Sequence, residues 1–371
     1  MKFDSKHQAF FALVKAGLWE KDVLLSTFNK IEYQEINRLA EEQAVVGLVA
    51  AGLEHVTDVI VPKEDLLQFA GQALQLEQRN KAMNEFVAKI ISLLRKNGVY
   101  VLLIKGQGIA QCYEKPLWRS CGDIDLLMDE KNYEKAKSVL MPLSISVEDE
   151  EKDRLHLGMV IDGWVVELHG TLYSRLKKSI NKELRSLQED TFNNGKVRVW
   201  INNTDIYLPE PNNDLVFVFT HIIQHYFKGG IGLRQICDWC RLIWRYHSEL
   251  NIKILEERIK RMGLLSEWKV FASLVVNHLG MPENLMPLYD MAKKWKNKAN
   301  RVMSFILKVG NFGHNRDASY YDKYPYLIYK MISLGRHISD FSRYVSVFPI
   351  DTLYVSLSTI GQGLKTINSG K

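Results

Sequence analysis

Two aspartates separated by one residue, Asp123 and Asp125, stand in an otherwise apolar segment. Alternate residues of a β-strand point to the same face, so a strand here would place both carboxylates side by side, roughly 7 Å apart at Cα, with Ile124 and Leu126 directed into a core. Mg²⁺ prefers oxygen ligands and keeps waters that substrate phosphates can replace. Such a pair is by itself more often a solvated strand face, but unpaired carboxylates among apolar residues would be costly. The segment therefore predicts a metal site.

A third carboxylate is predicted on a neighbouring strand. Two apolar runs, residues 157–161 and 164–168, flank Asp162-Gly163, a dipeptide typical of the type I′ turn of a β-hairpin. In the second strand, Glu167 and His169 would share one face. A carboxylate in this position would complete a site for two metal ions.

A glycine-containing turn precedes the aspartate pair. Residues 99–104 form a continuous apolar run that predicts a buried strand, and Lys105-Gly106-Gln107-Gly108 ends it. A glycine between a strand and a short helix lets the backbone approach a phosphate, and free helix N–H groups favour an anion. Lys105 and Arg119 could add positive charge against a triphosphate. The dinucleotide fingerprint is not met, since Gln111 stands where its third glycine would fall.

Helical patterns flank this region on both sides. In residues 1–97 they include a long periodic stretch from about Lys63 to Lys96, which Asn97-Gly98 ends. We therefore expect an α+β protein with three parts. These are an N-terminal helical region (1–97), a small mixed-sheet module (98–205) that would carry the catalytic groups, and a C-terminal helical domain (206–371) that would form the far wall of the cleft.

Composition predicts a soluble cytoplasmic protein. The 371 residues are 46% hydrophobic, and four cysteines are too few for a disulfide framework. The sequence shows neither a signal-peptide pattern nor an apolar run of the ~20 residues that a membrane helix needs. The net charge of +6 is concentrated in residues 206–371. Such an excess can attract nucleic acid, although a basic surface without such a partner is the simpler interpretation.

Taken together, these motifs resemble the uncharacterised nucleotidyltransferase family of the polymerase-β-like superfamily. The resemblance covers roughly residues 25–250. It rests on Lys105-Gly106-Gln107-Gly108-Ile109, Tyr113, Arg119, Gly122-Asp123-Ile124-Asp125-Leu126-Leu127, Val166-Glu167-Leu168-His169, His221, His225, Gly232-Leu233-Arg234-Gln235 and Asp238.

The resemblance implies transfer of a nucleotidyl group from an NTP to an acceptor hydroxyl with Mg²⁺ or Mn²⁺. Asp123 and Asp125 would be the metal ligands, and Glu167 would help to bind metal or to deprotonate the acceptor. Lys105, Gly106-Gln107 and Arg119 would bind the nucleotide. Many relatives have Gly-Ser where this chain has Gly106-Gln107, so the serine's phosphate contact is missing here, and the third carboxylate is often Asp.

Further polar residues are candidates for orienting the substrate. His221 and His225 are four residues apart on a predicted helix and could bind a metal, but packing and hydrogen bonding against the catalytic module are favoured. The resemblance implies that this helix helps to close the site. Arg234 and Asp238 would then orient the substrate or pair with each other, and His169 would face the same cleft.

Two other patterns are interpreted as structural. Cys237 and Cys240 form a C-x-x-C in a helical segment without a second such motif, which favours a structural role over zinc or redox chemistry. Aromatic residues at helical spacing near the C-terminus are more typical of a core than of a base-stacking surface. They are Tyr320, Tyr321, Tyr324, Tyr326, Tyr329, Phe341, Tyr344 and Phe348.

The sequence leaves the acceptor open. A small molecule, an RNA end and a protein hydroxyl are all compatible with the same superfold. The alternatives are a non-catalytic nucleotide- or nucleic-acid-binding protein that retains the cleft, and a toxin-like enzyme that modifies RNA or protein.

Overall fold

The computed structural model describes residues 5–193, 195–315 and 326–356. It is an α+β structure with a single seven-stranded mixed sheet, as expected. The strands are β1 (Leu102–Ile104), β2 (Asp123–Leu127), β3 (Ser146–Val147), β4 (His156–Ile161), β5 (Trp164–His169), β6 (Val197–Trp200) and β7 (Asn203–Pro209).

The helices precede, interrupt and follow the sheet. They are α1 (Ser5–Trp19), α2 (Tyr33–Glu42), α3 (Val46–Glu54), α4 (Lys63–Lys96), α5 (Gly106–Ala110), α6 (Glu130–Leu140), α7 (Lys178–Asn193), α8 (Pro211–Lys228), α9 (Leu233–Tyr246), α10 (Ile252–Met262), α11 (Leu265–Leu279), α12 (Lys293–Val309) and α13 (Tyr326–Val345). The predicted long helix is confirmed, and Asp129 caps α6 by accepting a hydrogen bond from the Asn132 backbone N–H.

The strand order is β3-β4-β5-β2-β1-β7-β6. β2 pairs in parallel with β5, and β1 pairs in parallel with β7, whereas the remaining neighbours are antiparallel. The predicted hairpin is confirmed: Asp162 and Gly163, with φ of 50° and 81°, join β4 to β5. This turn fixes which residues of β4 lie beside the carboxylates of β5.

Successive side chains of the central strands point to opposite faces of the sheet, and each face is covered by its own apolar core. Ile124 and Leu126 of β2 are buried with side chains of α4 and α6 on one side of the sheet, as predicted. Ile104 and Leu127 belong to the other core, which includes Phe219 of α8. The odd-numbered polar residues of β2 and β5 therefore face α8.

The three predicted regions share one apolar cluster. Phe10, Leu102 and Trp268 all belong to it, and α1 packs so closely on α3 that a Cβ at Gly17 would lie 2.0 Å from the Leu48 carbonyl oxygen. The domain boundaries after residues 97 and 205 stay predictions.

Some elements differ from the sequence expectation. The strand expected over residues 99–104 is limited to Leu102–Ile104. Strand β7 and helix α7 were not predicted. Ile180, Leu184 and Leu187 recur at helical spacing along α7 and are buried in the core, a local signal that the sequence interpretation missed.

Of the residues interpreted as structural, Cys237, Cys240, Tyr344 and Phe348 are buried and Phe341 is half-buried. Cys237 and Cys240 are buried free thiols within α9. Tyr344 and Phe348 pack on Tyr226, with ring centroids 5.1 and 5.9 Å away. Tyr320, Tyr321 and Tyr324 lie outside the described residues.

None of the helices in the described part of the chain combines the length and the apolar character that a membrane span requires.

Candidate active site

Three carboxylates lie together on the face of the sheet that is directed toward α8. In the β2–β5 pairing Asp125 is directly opposite Glu167, and Asp123 is opposite Val165. Asp123, Asp125 and Glu167 all line one cleft of about 430 Å³. The predicted convergence of the third carboxylate with the aspartate pair is therefore present in the fold.

Asp125 is the most buried of the three and receives two hydrogen bonds. Its side chain is 2% exposed, and Oδ1 accepts from Lys105 Nζ at 2.7 Å and from His169 Nε2 at 2.8 Å. Burial disfavours the Lys105 ammonium, but Asp125 and Glu167 outweigh burial and raise the pKa of this lysine. Lys105 therefore keeps a positive charge beside the carboxylates.

The turn after β1 is tightly placed against β2. Lys105 adopts φ 53° and ψ −145°, a sparsely populated conformation for a residue with a side chain. Gly106 has φ 33°, and a Cβ there would lie 3.2 Å from Cys121 Sγ and 3.3 Å from the Asp123 carbonyl oxygen. The backbone conformation therefore favours glycine, and a Cβ would in addition be in tight contact with its neighbours.

Gln107 is directed away from the cleft. Its side chain is buried and donates to Asn80 Oδ1 of α4 at 2.9 Å. Asn80 in turn donates to the carbonyl oxygens of Leu117 and Arg119. The structure does not bring the Gln107 side chain to the cleft, and Asn80, which sequence reasoning missed, ties the turn to the segment before β2.

The chemistry of the carboxylates fits a divalent cation. In the described part of the chain no side chain hydrogen-bonds to the Asp123 carboxylate, which faces the cleft. Burial, followed by the charge of Asp125, raises the pKa of Asp123. A cation between the two aspartates would relieve this repulsion and receive the oxygen ligands that Mg²⁺ and Mn²⁺ accept.

His156 joins the site, although sequence reasoning missed it. It lies opposite His169 in the β4–β5 pairing, and its Nε2 is 3.3 Å from Glu167 Oε2. Potential ligand atoms of His156, Glu167 and His169 lie within 4.8 Å of one another. Burial favours the neutral acid at Glu167, but hydrogen bonds from both imidazoles outweigh it and hold the pKa of Glu167 below its ordinary value.

His169 connects two of the carboxylates. Its Nε2 lies 2.8 Å from Asp125 Oδ1 and 3.5 Å from Glu167 Oε2. Burial lowers the pKa of the imidazole, but the hydrogen bonds to Asp125 and Glu167 outweigh burial and raise it.

Helix α8 supplies the opposite wall of the cleft. His221 and His225 both line it, with ring centroids 4.2 Å apart, as their predicted helical spacing requires. Burial and then the charge of Lys105 lower both pKa values, that of His225 to about 4. The two imidazoles are therefore neutral, and neither belongs to the cluster of potential metal ligands formed by His156, Glu167 and His169.

Arg119 and Asp238 form a buried ion pair at the edge of the cleft. Arg119 Nε and Nη2 donate to the two oxygens of Asp238 at 2.8 and 2.6 Å, and Tyr113 Oη donates to Oδ1 at 2.8 Å. Asp238 thus pairs with Arg119 rather than with Arg234. Arg234 donates through Nη1 to the Ser120 carbonyl, and its buried Nε has no hydrogen-bond partner among the described residues.

A comparison with protein families agrees with this geometry. A family model described as an uncharacterised nucleotidyltransferase matches residues 29–280. The chain belongs to this family. The match includes all seven strands and extends further toward the C-terminus than the motifs alone predicted. No curated protein and no solved structure matches the chain.

The cleft of this nucleotidyltransferase-family chain continues beyond Glu167. There it is lined by Glu151 and by the cationic side chains of Arg154, Arg175 and Lys228. This end of the cleft was not predicted, because its charged residues are spread over three separate segments of the chain.

Proposed function

We propose that this protein transfers a nucleotidyl group from an NTP to an acceptor hydroxyl, with Mg²⁺ or Mn²⁺ held by Asp123, Asp125 and Glu167. The observation that carries the proposal is the pairing of Asp125 with Glu167 on adjacent parallel strands, with Asp123 on the same face. Membership of a nucleotidyltransferase family supports it.

The bound cation would neutralise charge on the phosphates and lower the pKa of the acceptor hydroxyl. Asp123 and Asp125 supply its first ligands. Glu167 is kept ionised by two imidazoles, which favours a role as a ligand over a role as a proton carrier. In the transfer, the bond from the acceptor oxygen to the α-phosphorus forms as pyrophosphate leaves, so catalysis depends mainly on positioning and charge.

The remaining residues would bind or position the substrate. Lys105 and the Gly106 turn lie beside the aspartates, where they would contact the triphosphate. His221, His225 and Arg234 would face the nucleotide from α8 and α9.

Two buried residues would act indirectly, by positioning other parts of the site. Gln107 holds the turn after β1 in place through its hydrogen bond to Asn80. Arg119 orders the segment before β2 through its pair with Asp238. Both are therefore proposed as positioning residues rather than as direct nucleotide contacts.

The test is transfer of label from α-³²P-labelled NTPs, each supplied with Mg²⁺ or Mn²⁺ and a cell extract. We expect a labelled product with the wild-type protein and none with Asp123→Asn. Nuclease and protease treatment of the product distinguishes RNA and protein acceptors from small molecules. NTP binding without any labelled product would contradict the proposal and favour a non-catalytic nucleotide-binding protein.

A further inference from the structure

The cleft has a second charged end that the transfer chemistry does not use. Arg154, Arg175 and Lys228 line it together with a single carboxylate, Glu151. These residues come from the segment before β4, the segment after β5 and the last turn of α8. They form what we call the rim cluster.

The order of the strands places the rim cluster at the opposite end of the cleft from Lys105 and the turn after β1. Lys105 follows β1, whose neighbour β2 carries the aspartates, and Glu167 lies on β5, the next strand. β4 and the residues that precede it lie beyond β5. A molecule whose hydroxyl reaches the carboxylates from the Glu167 side would extend over the rim cluster.

The rim cluster is held in place by contacts of its own. Glu151 Oε1 accepts from Arg175 Nη2 at 2.5 Å and also pairs with Arg154. The Arg154 guanidinium lies 4.7 Å from the ring centre of Tyr173, and Thr171 Oγ1 donates to the Arg154 carbonyl at 2.6 Å. Both guanidinium groups are therefore partly ordered before any ligand binds.

The charges of the rim cluster do not balance. Three cations surround one carboxylate, and Lys228 has no hydrogen bond or ion pair with any described residue. Partial burial, followed by repulsion from Arg175 and Arg154, lowers the pKa of Lys228 to about 8. The excess of two positive charges matches the charge of about −2 on a phosphomonoester near neutral pH.

We propose that the rim cluster binds the phosphate group of the acceptor, which would be a small phosphomonoester with a free hydroxyl. This inference rests on the proposed function, because it takes the acceptor hydroxyl to lie at Glu167. Guanidinium groups bind phosphate oxygens in pairs, and Lys228 adds a flexible point charge. The acceptor's own phosphate stays intact during transfer. The new bond joins its hydroxyl oxygen to the α-phosphorus, the bond from the α-phosphorus to the bridging oxygen breaks to release pyrophosphate, and the hydroxyl proton passes to water.

The test is calorimetric titration of glycerol 3-phosphate into the full chain, with glycerol as the neutral probe. Both are titrated with Mg²⁺ and with an ATP analogue that has a methylene group between its α- and β-phosphorus atoms. We expect saturable binding of glycerol 3-phosphate and none of glycerol. Arg175→Gln and Lys228→Gln should each weaken binding about tenfold or more, as for loss of a charged hydrogen bond.

Arg185→Gln is the matched control, because Arg185 is exposed on α7 and does not line the cleft. It should bind glycerol 3-phosphate like the wild type. Lys228→Gln removes no hydrogen bond or ion pair among the described residues, so its melting temperature should stay close to that of the wild type.

Equal binding of glycerol and glycerol 3-phosphate, or unchanged binding of glycerol 3-phosphate in both Gln variants, would overturn the inference. Loss of binding of the ATP analogue in these variants would overturn it as well, because it would assign the rim cluster to the nucleotide. Tighter binding of a short RNA that the same variants abolish would also overturn it, in favour of a nucleic-acid acceptor. Binding of glycerol 3-phosphate without any NTP binding would instead support the anion site and count against the proposed function.

Discussion

Asp125 and Glu167 lie directly opposite each other in the parallel pairing of β2 with β5. Asp123 lies two residues earlier on the same face of β2. This relationship brings the carboxylates of two sequence motifs together on the face of the sheet beneath α8.

The first prediction concerns Asp123. Asp123→Asn should lower the rate of nucleotidyl transfer by about three orders of magnitude, because several kcal/mol of charge stabilisation by the metal would be lost. The free energy of unfolding should be unchanged or higher, since burial and Asp125 already disfavour the ionised form. Transfer of label and thermal melting measure the two effects. Asp162→Asn in the exposed hairpin turn is the control, and full activity of Asp123→Asn would rule out the assignment.

The second prediction concerns the preference for metals. Imidazole ligands suit Mn²⁺ better than Mg²⁺, which favours oxygen. If His156 contributes to the metal site, His156→Ala should weaken Mn²⁺ binding more than Mg²⁺ binding, as measured by electron paramagnetic resonance and by calorimetry. His247→Ala, at an exposed position after α9, should change neither. An equal effect of His156→Ala on both ions would show that His156 only supports Glu167.

The third prediction separates structural from direct roles of Arg119. Arg119→Met leaves Asp238 buried without its cation, which should lower the free energy of unfolding by about 3–5 kcal/mol. The double variant Arg119→Met/Asp238→Leu should recover much of this loss, although Tyr113 loses its acceptor. We expect the double variant to bind NTP like the wild type. A restored stability with lost NTP affinity would mean that Arg119 contacts the nucleotide itself.

The fourth prediction is a pH dependence of stability from a group that does not line the cleft. Burial, followed by a hydrogen bond shared with Asp351, raises the pKa of Glu267 to about 8. The folded chain keeps this proton where the unfolded chain releases it, so the stabilisation is complete below about pH 4.5 and is lost as the pH rises to about 8. The melting temperature should fall over this range.

The variant Glu267→Gln tests this assignment, because its neutral amide cannot lose a proton. It should flatten the decrease in melting temperature between about pH 5 and pH 8. Glu256→Gln is the control, since Glu256 pairs with Lys260 one turn along α10 and, among the described residues, with no other cation. An unchanged pH profile in Glu267→Gln would show that another group causes the dependence.

Local patterns in the sequence predicted much of the site. The Asp-x-Asp pair in an apolar strand, the glycine turn and the Asp-Gly hairpin each follow from neighbouring residues. The hairpin also held a signal that was not used. A two-residue turn places Ile161 opposite Trp164, and counting back along both strands places His156 opposite His169.

Other features depend on contacts between distant segments. Gln107 lies in the glycine turn after β1, where the sequence predicted a nucleotide contact, but its side chain turns toward Asn80 on α4. The partner of Arg119 is Asp238, on a helix that follows the sheet. No local pattern specifies such pairs, because they are set by how helices pack against the sheet.

The most direct test of the account is a crystal structure with Mn²⁺ and an NTP analogue that cannot be cleaved between its α- and β-phosphorus atoms. We predict an anomalous Mn²⁺ peak at about 2.1 Å from carboxylate oxygens of both Asp123 and Asp125, with Glu167 beside it. An NTP bound elsewhere, or a metal ion that contacts neither aspartate, would contradict the central claim.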